Sequence, residues 1–153
     1  MWVGVGVEED HPRGVGDASI IGSVPHSAGV PLPMKGVYLF CEEGKPLYVG
    51  RSNNIPQRRK NHTSLSAGAN QAAFAVLLVR EQLRLVADYR PGPGTRARLF
   101  DNAEFAEAFR KAKERVRAMQ FRAVEERDQT RQALLEIYCA VALETPYNDF
   151  RTH

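Results

Sequence analysis

Two tyrosines, Tyr38 and Tyr48, stand in apolar runs that lead straight into a stretch of bases, and residues of these types suit work on an anion. From Arg51 to Ser64 the chain carries Arg51, Arg58, Arg59 and Lys60 with no acid. Arg58 and His62 are four apart, so a helix there shows both on one face. Local positive potential of this kind fits phosphate binding. Far along the chain, Glu136 is the one charged residue in ALLEIYCAVAL, residues 133–143. A carboxylate in such surroundings is neutralised, paired or bound to a metal, because an isolated charge in low dielectric is costly. Its helical neighbours Gln132, Ala133, Cys139 and Ala140 are small or neutral and leave room beside it. The plainer reading of Glu136 is a salt bridge to an arginine of the first helix, or a helix edge that reaches water.

The elements that must position these groups are readable from pattern. Val37–Cys41 and Leu47–Arg51 are strand-like runs around Glu42-Glu43-Gly44-Lys45-Pro46, which predicts a hairpin with a five-residue turn. Tyr38 then shares a face with Phe40, and Tyr48 with Gly50, where the missing side chain leaves space for something to approach. Asn53 or Asn54 caps a helix over Ile55–Thr63, with Pro56 tolerated in its first turn. Gln71–Leu85 reads as a helix, although AFAVLLV also suits a strand. Pro91-Gly92-Pro93-Gly94 breaks the chain, and Asn102 caps an amphipathic helix through Arg117 with Phe105, Phe109, Ala112 and Val116 on its apolar side. Met119–Glu125 alternates as a third strand. Asp128 or Thr130 starts a last, buried helix that stops at Leu143, before Pro146.

Residues 1–33, rich in Gly, Pro and Ser, read as a flexible arm. Gly4 and Gly6 lack the third glycine and the preceding strand of a dinucleotide loop. At 153 residues, with 43% hydrophobic and 25% charged residues, one globular domain is the expectation. No run approaches the ~20 apolar residues of a membrane span, and no signal layout opens the chain, so a cytoplasmic address is expected. Cys41, Cys139 and four scattered histidines show no zinc spacing. The net charge of +3 is too mild to argue for nucleic acid by itself. Its distribution says more: besides the first cluster, Arg110, Lys111, Lys113, Arg115 and Arg117 face only Glu114 between residues 110 and 117. That run is either a phosphate-binding surface or a solvated helix face.

In order, the chain shows GVY, nine residues, YVG, then Arg51-Ser52, Arg58 and His62, a later strand, LLEIY, and TPYN ending in Asn148. This ordered set resembles the GIY-YIG nuclease family over Gly36 to about Leu65 and Gln120 to Asn148, with valine in place of isoleucine in both tripeptides. The resemblance implies an α+β fold, a small three-stranded antiparallel sheet flanked by helices, spanning residues 34–150 with a helical insertion at about 66–117. It implies a DNA endonuclease that hydrolyses phosphodiester bonds with Mg²⁺ or Mn²⁺ held by Glu136 as sole protein ligand. Tyr38 would be the water-activating base or its relay, Tyr48 would orient that water, and Arg58 would clamp the phosphoryl oxygens. His62 would relay a proton or hold a phosphate, unless it only complements the helix dipole. Arg51, Ser52, Arg59, Lys60, Arg110, Lys111, Lys113 and Asn148 would contact DNA, with Asn148 also tying the chain end to the site. The long insertion is more like the restriction-enzyme branch, which implies a homodimer, than the compact repair module. The competing functions are a structure-specific repair nuclease and a non-catalytic nucleic-acid-binding module on the same scaffold.

Overall fold

A computed structural model describes residues 31–84 and 103–150. Among them the order is β1 (Gly36–Glu42), β2 (Lys45–Ser52), α1 (Ile55–Thr63), α2 (Ala73–Gln82), α3 (Ala103–Ala118), β3 (Gln120–Glu125) and α4 (Gln129–Ala142). The three strands form an antiparallel sheet in the order β2-β1-β3, an α+β fold as expected. The five-residue turn does not form. Glu42 pairs with Lys45, and Glu43 and Gly44 turn the chain alone with φ of 50° and 80°. Positive φ at both central residues matches the twist of a two-residue hairpin. Pro46 is accommodated because β2 is an edge strand, where a missing N–H leaves no ladder bond broken.

Local chemistry selects the helix starts. The Asn54 side chain accepts from the Gln57 amide at 3.1 Å, and that of Asp128 accepts from the Arg131 amide at 2.8 Å, so these are the caps of α1 and α4. The ambiguous AFAVLLV run is helical, its Phe74, Val76 and Val79 buried in the core that Phe105 and Phe109 of α3 complete. The arm, apart from residues 31–33, the break at 91–94 and the Asn102 cap lie outside the described residues. Among the described residues no helix is long and apolar enough to cross a membrane.

The sheet carries two unequal cores. On one face Tyr38, Phe40, Phe121 and Ala123 pack with α1, α2 and α3. On the other, Val37, Leu39, Val49 and Val124 pack with Leu135 and Cys139 of α4. The expectation of a wholly buried last helix is therefore corrected. α4 buries Gln132, Cys139 and Ala140, while Leu134, Ile137, Tyr138 and Val141 are 64%, 44%, 69% and 70% exposed. Its apolar sequence has one sheet face beneath it and no described element on its outer side.

Candidate active site

Tyr38 is fully buried in the middle of β1, directly opposite Gly50 of β2. A Cβ at position 50 would lie 2.4 Å from Tyr38 Cζ and Oη, so the space left by that glycine holds the Tyr38 ring and is not a pocket. Phe121 stacks on the ring from β3 at 5.5 Å, which fixes where the phenol points. Arg58 Nε donates to the Tyr38 hydroxyl at 3.2 Å, and Arg58 Nη1 donates to the Gln71 carbonyl at 3.2 Å. The hold by Gln71 is made by backbone, which gave the sequence no signal of it. Tyr48 lies beside Tyr38 at 6.5 Å between centroids and stacks on Phe74 at 4.7 Å.

Burial raises the pKa of both phenols above the usual tyrosine value, and Arg58 lowers them by less. The Arg58 cation alone therefore does not make Tyr38 a phenolate.

His62 is completely buried, with Nε2 3.1 Å from the Tyr38 hydroxyl. Burial, then the neighbouring Arg58 charge, push its pKa down from 6.5 to about 3. A neutral imidazole without solvent access neither holds a phosphate nor complements a helix dipole, so both of those readings fall away. Its Nε2 contact holds the Tyr38 hydroxyl in place, while its buried Nδ1 finds no hydrogen-bond partner among the described residues. The shift has a sign for stability. Between about pH 6.5 and 3 the unfolded chain binds a proton at His62 that the folded chain does not, so this contribution falls as pH drops through that window. Urea unfolding is expected to show wild type losing up to about 1.4 kcal/mol more per pH unit below pH 6.5 than His62→Gln. Equal losses in the two proteins would contradict it.

Glu136 does not reach the tyrosines across one shared face. Its helix packs on the opposite side of the sheet, and the carboxylate stands near edge strand β2, where Arg51 Nε donates to Oε2 at 2.9 Å. The ion partner expected from the first helix is thus an arginine of β2, directly opposite Val37 and so on the α4 face. Burial, the larger influence, raises the Glu136 pKa and Arg51 opposes it. Among the causes that raise the pKa of both Tyr38 and Tyr48 is the Glu136 charge, so the three groups share one electrostatic neighbourhood. The site straddles the edge of the sheet: phenols and Arg58 on one side of β2, Glu136 and Arg51 on the other.

The residues expected to touch nucleic acid separate into three groups. Asn148 Oδ1 accepts from the Val49 amide and its Nδ2 donates to the Val49 carbonyl, each at 2.8 Å. It ties the chain end to the β2 edge as expected, with its amide engaged by backbone rather than phosphate. Ser52 Oγ accepts from the Asn54 amide at 2.9 Å and shapes the entry to α1. On α3, Lys113 is buried, its ammonium donating to the carbonyls of Leu65 and Ala67, which removes it from any DNA surface. Arg110 pairs with Glu107 and Glu114, and Lys111 with Glu107, so these two are balanced on their own helix, while Arg115 pairs with Glu42 of β1. The third group borders a concave surface beside Thr63 with no acid in its lining: Lys60 and Arg117 are exposed, while Arg59 is half-buried with its guanidinium over the Phe121 ring. Arg117 was not singled out within its run, because its place opposite α1 depends on how two helices pack.

Residues 34–87 match the family model described as the GIY-YIG catalytic domain. This stretch is a GIY-YIG catalytic domain. It contains β1, β2, α1 and α2, hence Tyr38, Tyr48, Arg58 and His62, and that part of the chain is what is similar to a nuclease family. The matched GIY-YIG segment ends before α4, so the match does not extend to Glu136. No curated protein and no solved structure matches the chain.

Proposed function

We propose that the GIY-YIG domain is a divalent-metal-dependent DNA endonuclease that hydrolyses phosphodiester bonds. The observation that carries this reading is the Arg58 guanidinium bound to the Tyr38 phenol at 3.2 Å, both within the segment that matches the GIY-YIG catalytic domain. A binding module needs cations on its surface; it has no need for a half-buried arginine directed at a buried phenol.

The donor chemistry suits a hard ion that keeps most of its waters, Mg²⁺ or Mn²⁺. Glu136 would hold it through Oε1, which accepts no hydrogen bond among the described residues while Oε2 takes Arg51. Those residues contain no cluster of three or more His, Cys, Asp or Glu of the kind a closed metal site uses, in keeping with a single carboxylate ligand. The bound ion would supply positive charge at the scissile phosphate and the deprotonating influence that Arg58 alone does not provide. Arg58 places a planar, permanent cation where charge builds on the phosphoryl oxygens. Tyr38, held by Arg58 and His62, would give its own proton to solvent when the ion binds and then take one from the attacking water, which Tyr48 would orient. The water oxygen bonds to phosphorus as the P–O bond to the departing alkoxide breaks, and that alkoxide takes a proton from solvent.

Digestion of a panel of plasmid, linear and branched DNAs tests the reading, with mapping of the cut ends. Cleavage is expected with Mg²⁺ or Mn²⁺ and none with a chelator; cleavage undiminished by the chelator would remove the metal role. Nucleic-acid binding without cleavage of any substrate would favour the binding-module reading.

Lys60 and Arg117 are the open cations through which this domain would follow the DNA backbone, with Arg59 beside them over the Phe121 ring. Alanine at Lys60 and Arg117 together is expected to lower the slope of log affinity against log salt by about two. Alanine at Arg110 and Lys111, already paired with acids, is expected to leave it nearly unchanged. The opposite ranking would return the DNA track to the outer face of α3.

A further inference from the structure

The site just described gives Lys113 no task. It is buried on α3, and among the described residues no carboxylate pairs with it. A buried ammonium is costly, and burial pushes its pKa down; a methionine would fill the same space without that cost. What holds the cation is backbone. Nζ donates to the Leu65 carbonyl and, at 3.0 Å, to that of Ala67, and it lies 4.8 Å over the Phe109 ring.

Both carbonyls belong to the link between α1 and α2, residues 64–72. Short turns hold the link to itself. The Ala67 amide donates to the Ser64 carbonyl at 3.1 Å, and the Gly68 carbonyl accepts from the amides of Gln71 and Ala72, each at 3.0 Å. Ala67 therefore stands one residue before a turn whose far end is Gln71, and Gln71 presents its carbonyl to Arg58 Nη1 at 3.2 Å. That bond is open to water, where a hydrogen bond contributes little by itself, so the place of the carbonyl has to be fixed from behind the link. Ala67 and Ala69 are buried there but offer only methyl groups, whereas Lys113 grips the backbone by directed bonds.

We propose that Lys113 is a positioning residue for Arg58. It pins the link, the link sets the Gln71 carbonyl, and that carbonyl aims the guanidinium whose Nε holds the Tyr38 hydroxyl. α3 lies beyond the segment that matches the catalytic domain, so the aim of a residue inside that segment is set from outside it. The consequence for cleavage rests on the nuclease reading; the aim of Arg58 does not.

Lys113→Met, which keeps the stem and removes the donors, tests the proposal in the full chain. Lys113→Gln, which keeps a donor without the charge, is expected to fall between it and wild type, and serves alone if the methionine variant does not fold. In the NMR spectrum of the free protein, the Arg58 Nε–H of wild type is expected to exchange slowly with water, and in Lys113→Met to exchange as fast as that of an exposed arginine. An unchanged Arg58 signal in a folded variant would overturn the proposal. Single-turnover cleavage at saturating DNA is expected to fall at least about tenfold, with the DNA concentration for half-maximal rate unchanged. In an Arg58→Ala background the same substitution is expected to cost no more than about twofold, because the group it positions is already gone. Equal losses in both backgrounds would mean that Lys113 serves stability alone. The slope of log DNA affinity against log salt is expected to stay as in wild type; a fall of about one would make Lys113 a phosphate contact instead. A variant that loses the Arg58 signal, in a protein whose wild type cuts no DNA, would leave the positioning standing and the nuclease reading refuted.

Discussion

Glu136→Gln is expected to lower the rate of DNA cleavage by at least about a thousandfold, roughly 4 kcal/mol in the barrier, while salt-sensitive DNA binding persists. The substitution keeps shape and polarity and removes the charge. The rival account is the ion pair with Arg51, whose guanidinium side is 46% exposed. An exposed pair of this kind contributes about 0.2–1 kcal/mol, which is too little to explain a loss of that size. The two accounts part on the partner. If Glu136 served only to hold Arg51, Arg51→Gln and Glu136→Gln would break the same bond and produce the same modest loss. If Glu136 holds the metal, Arg51→Gln leaves the carboxylate in place and retains most of the activity, and the Mg²⁺ dependence of cleavage survives. Parallel initial-rate measurements on the two variants decide it. Equal rates, or wild-type cleavage by Glu136→Gln, would remove Glu136 from the chemistry.

What could be read along the chain and what could not divides by the range of the interactions involved. The hairpin strands, a cap at Asn53 or Asn54, another at Asp128 or Thr130 and the placing of Arg58 and His62 on one helix face depend on neighbours a few residues away and are legible in pattern, while the choice of Asn54 and Asp128 comes from the fold. Lys113 looks no different from Lys111 along the chain. The packing of α3 against the Leu65–Ala67 segment turns the first into a buried clamp and leaves the second on the surface. Glu136 is the lone acid of its run in sequence but pairs with Arg51 in the fold, and its helix, apolar along its length, is not buried all round. Sequence reports how apolar a helix is, not how many of its sides are covered, and α4 has a sheet on one side only. Hydrogen bonds from side chain to backbone, Asn148 to Val49 and Arg58 to Gln71, leave still less trace, because any residue supplies the carbonyl that receives them. His62 shows the same limit in its charge. Its spacing fixes its face on α1, while the burial that keeps it neutral comes from β1 and β2 rings around it.

Gly50→Ala should reduce cleavage about a hundredfold although residue 50 offers no group to the reaction. The added methyl would stand 2.4 Å from Tyr38 Cζ and Oη and 2.9 Å from Cε2, well inside van der Waals contact. The ring has nowhere to retreat. Phe121 stacks against it at 5.5 Å, Phe40 meets it edge-on at 6.0 Å, and His62 lies at 5.8 Å, each buried in the same core. Relief requires the phenol to move by about 1 Å, and a misplacement of that size at a reacting group is worth roughly a factor of a hundred. Overpacking should also destabilise the fold by about 1–3 kcal/mol, so rates are to be compared well below the melting temperature of the variant. Tyr38→Phe supplies the control. It removes the hydroxyl that Arg58 and His62 hold, and if Gly50→Ala acts only by displacing that hydroxyl, the double variant should cut no more slowly than Tyr38→Phe alone. Multiplying losses in the double variant would mean that Gly50 acts by another route, such as widening the gap between β1 and β2 and shifting Tyr48. Wild-type rates for Gly50→Ala would mean that the position of the Tyr38 hydroxyl does not limit the reaction at all.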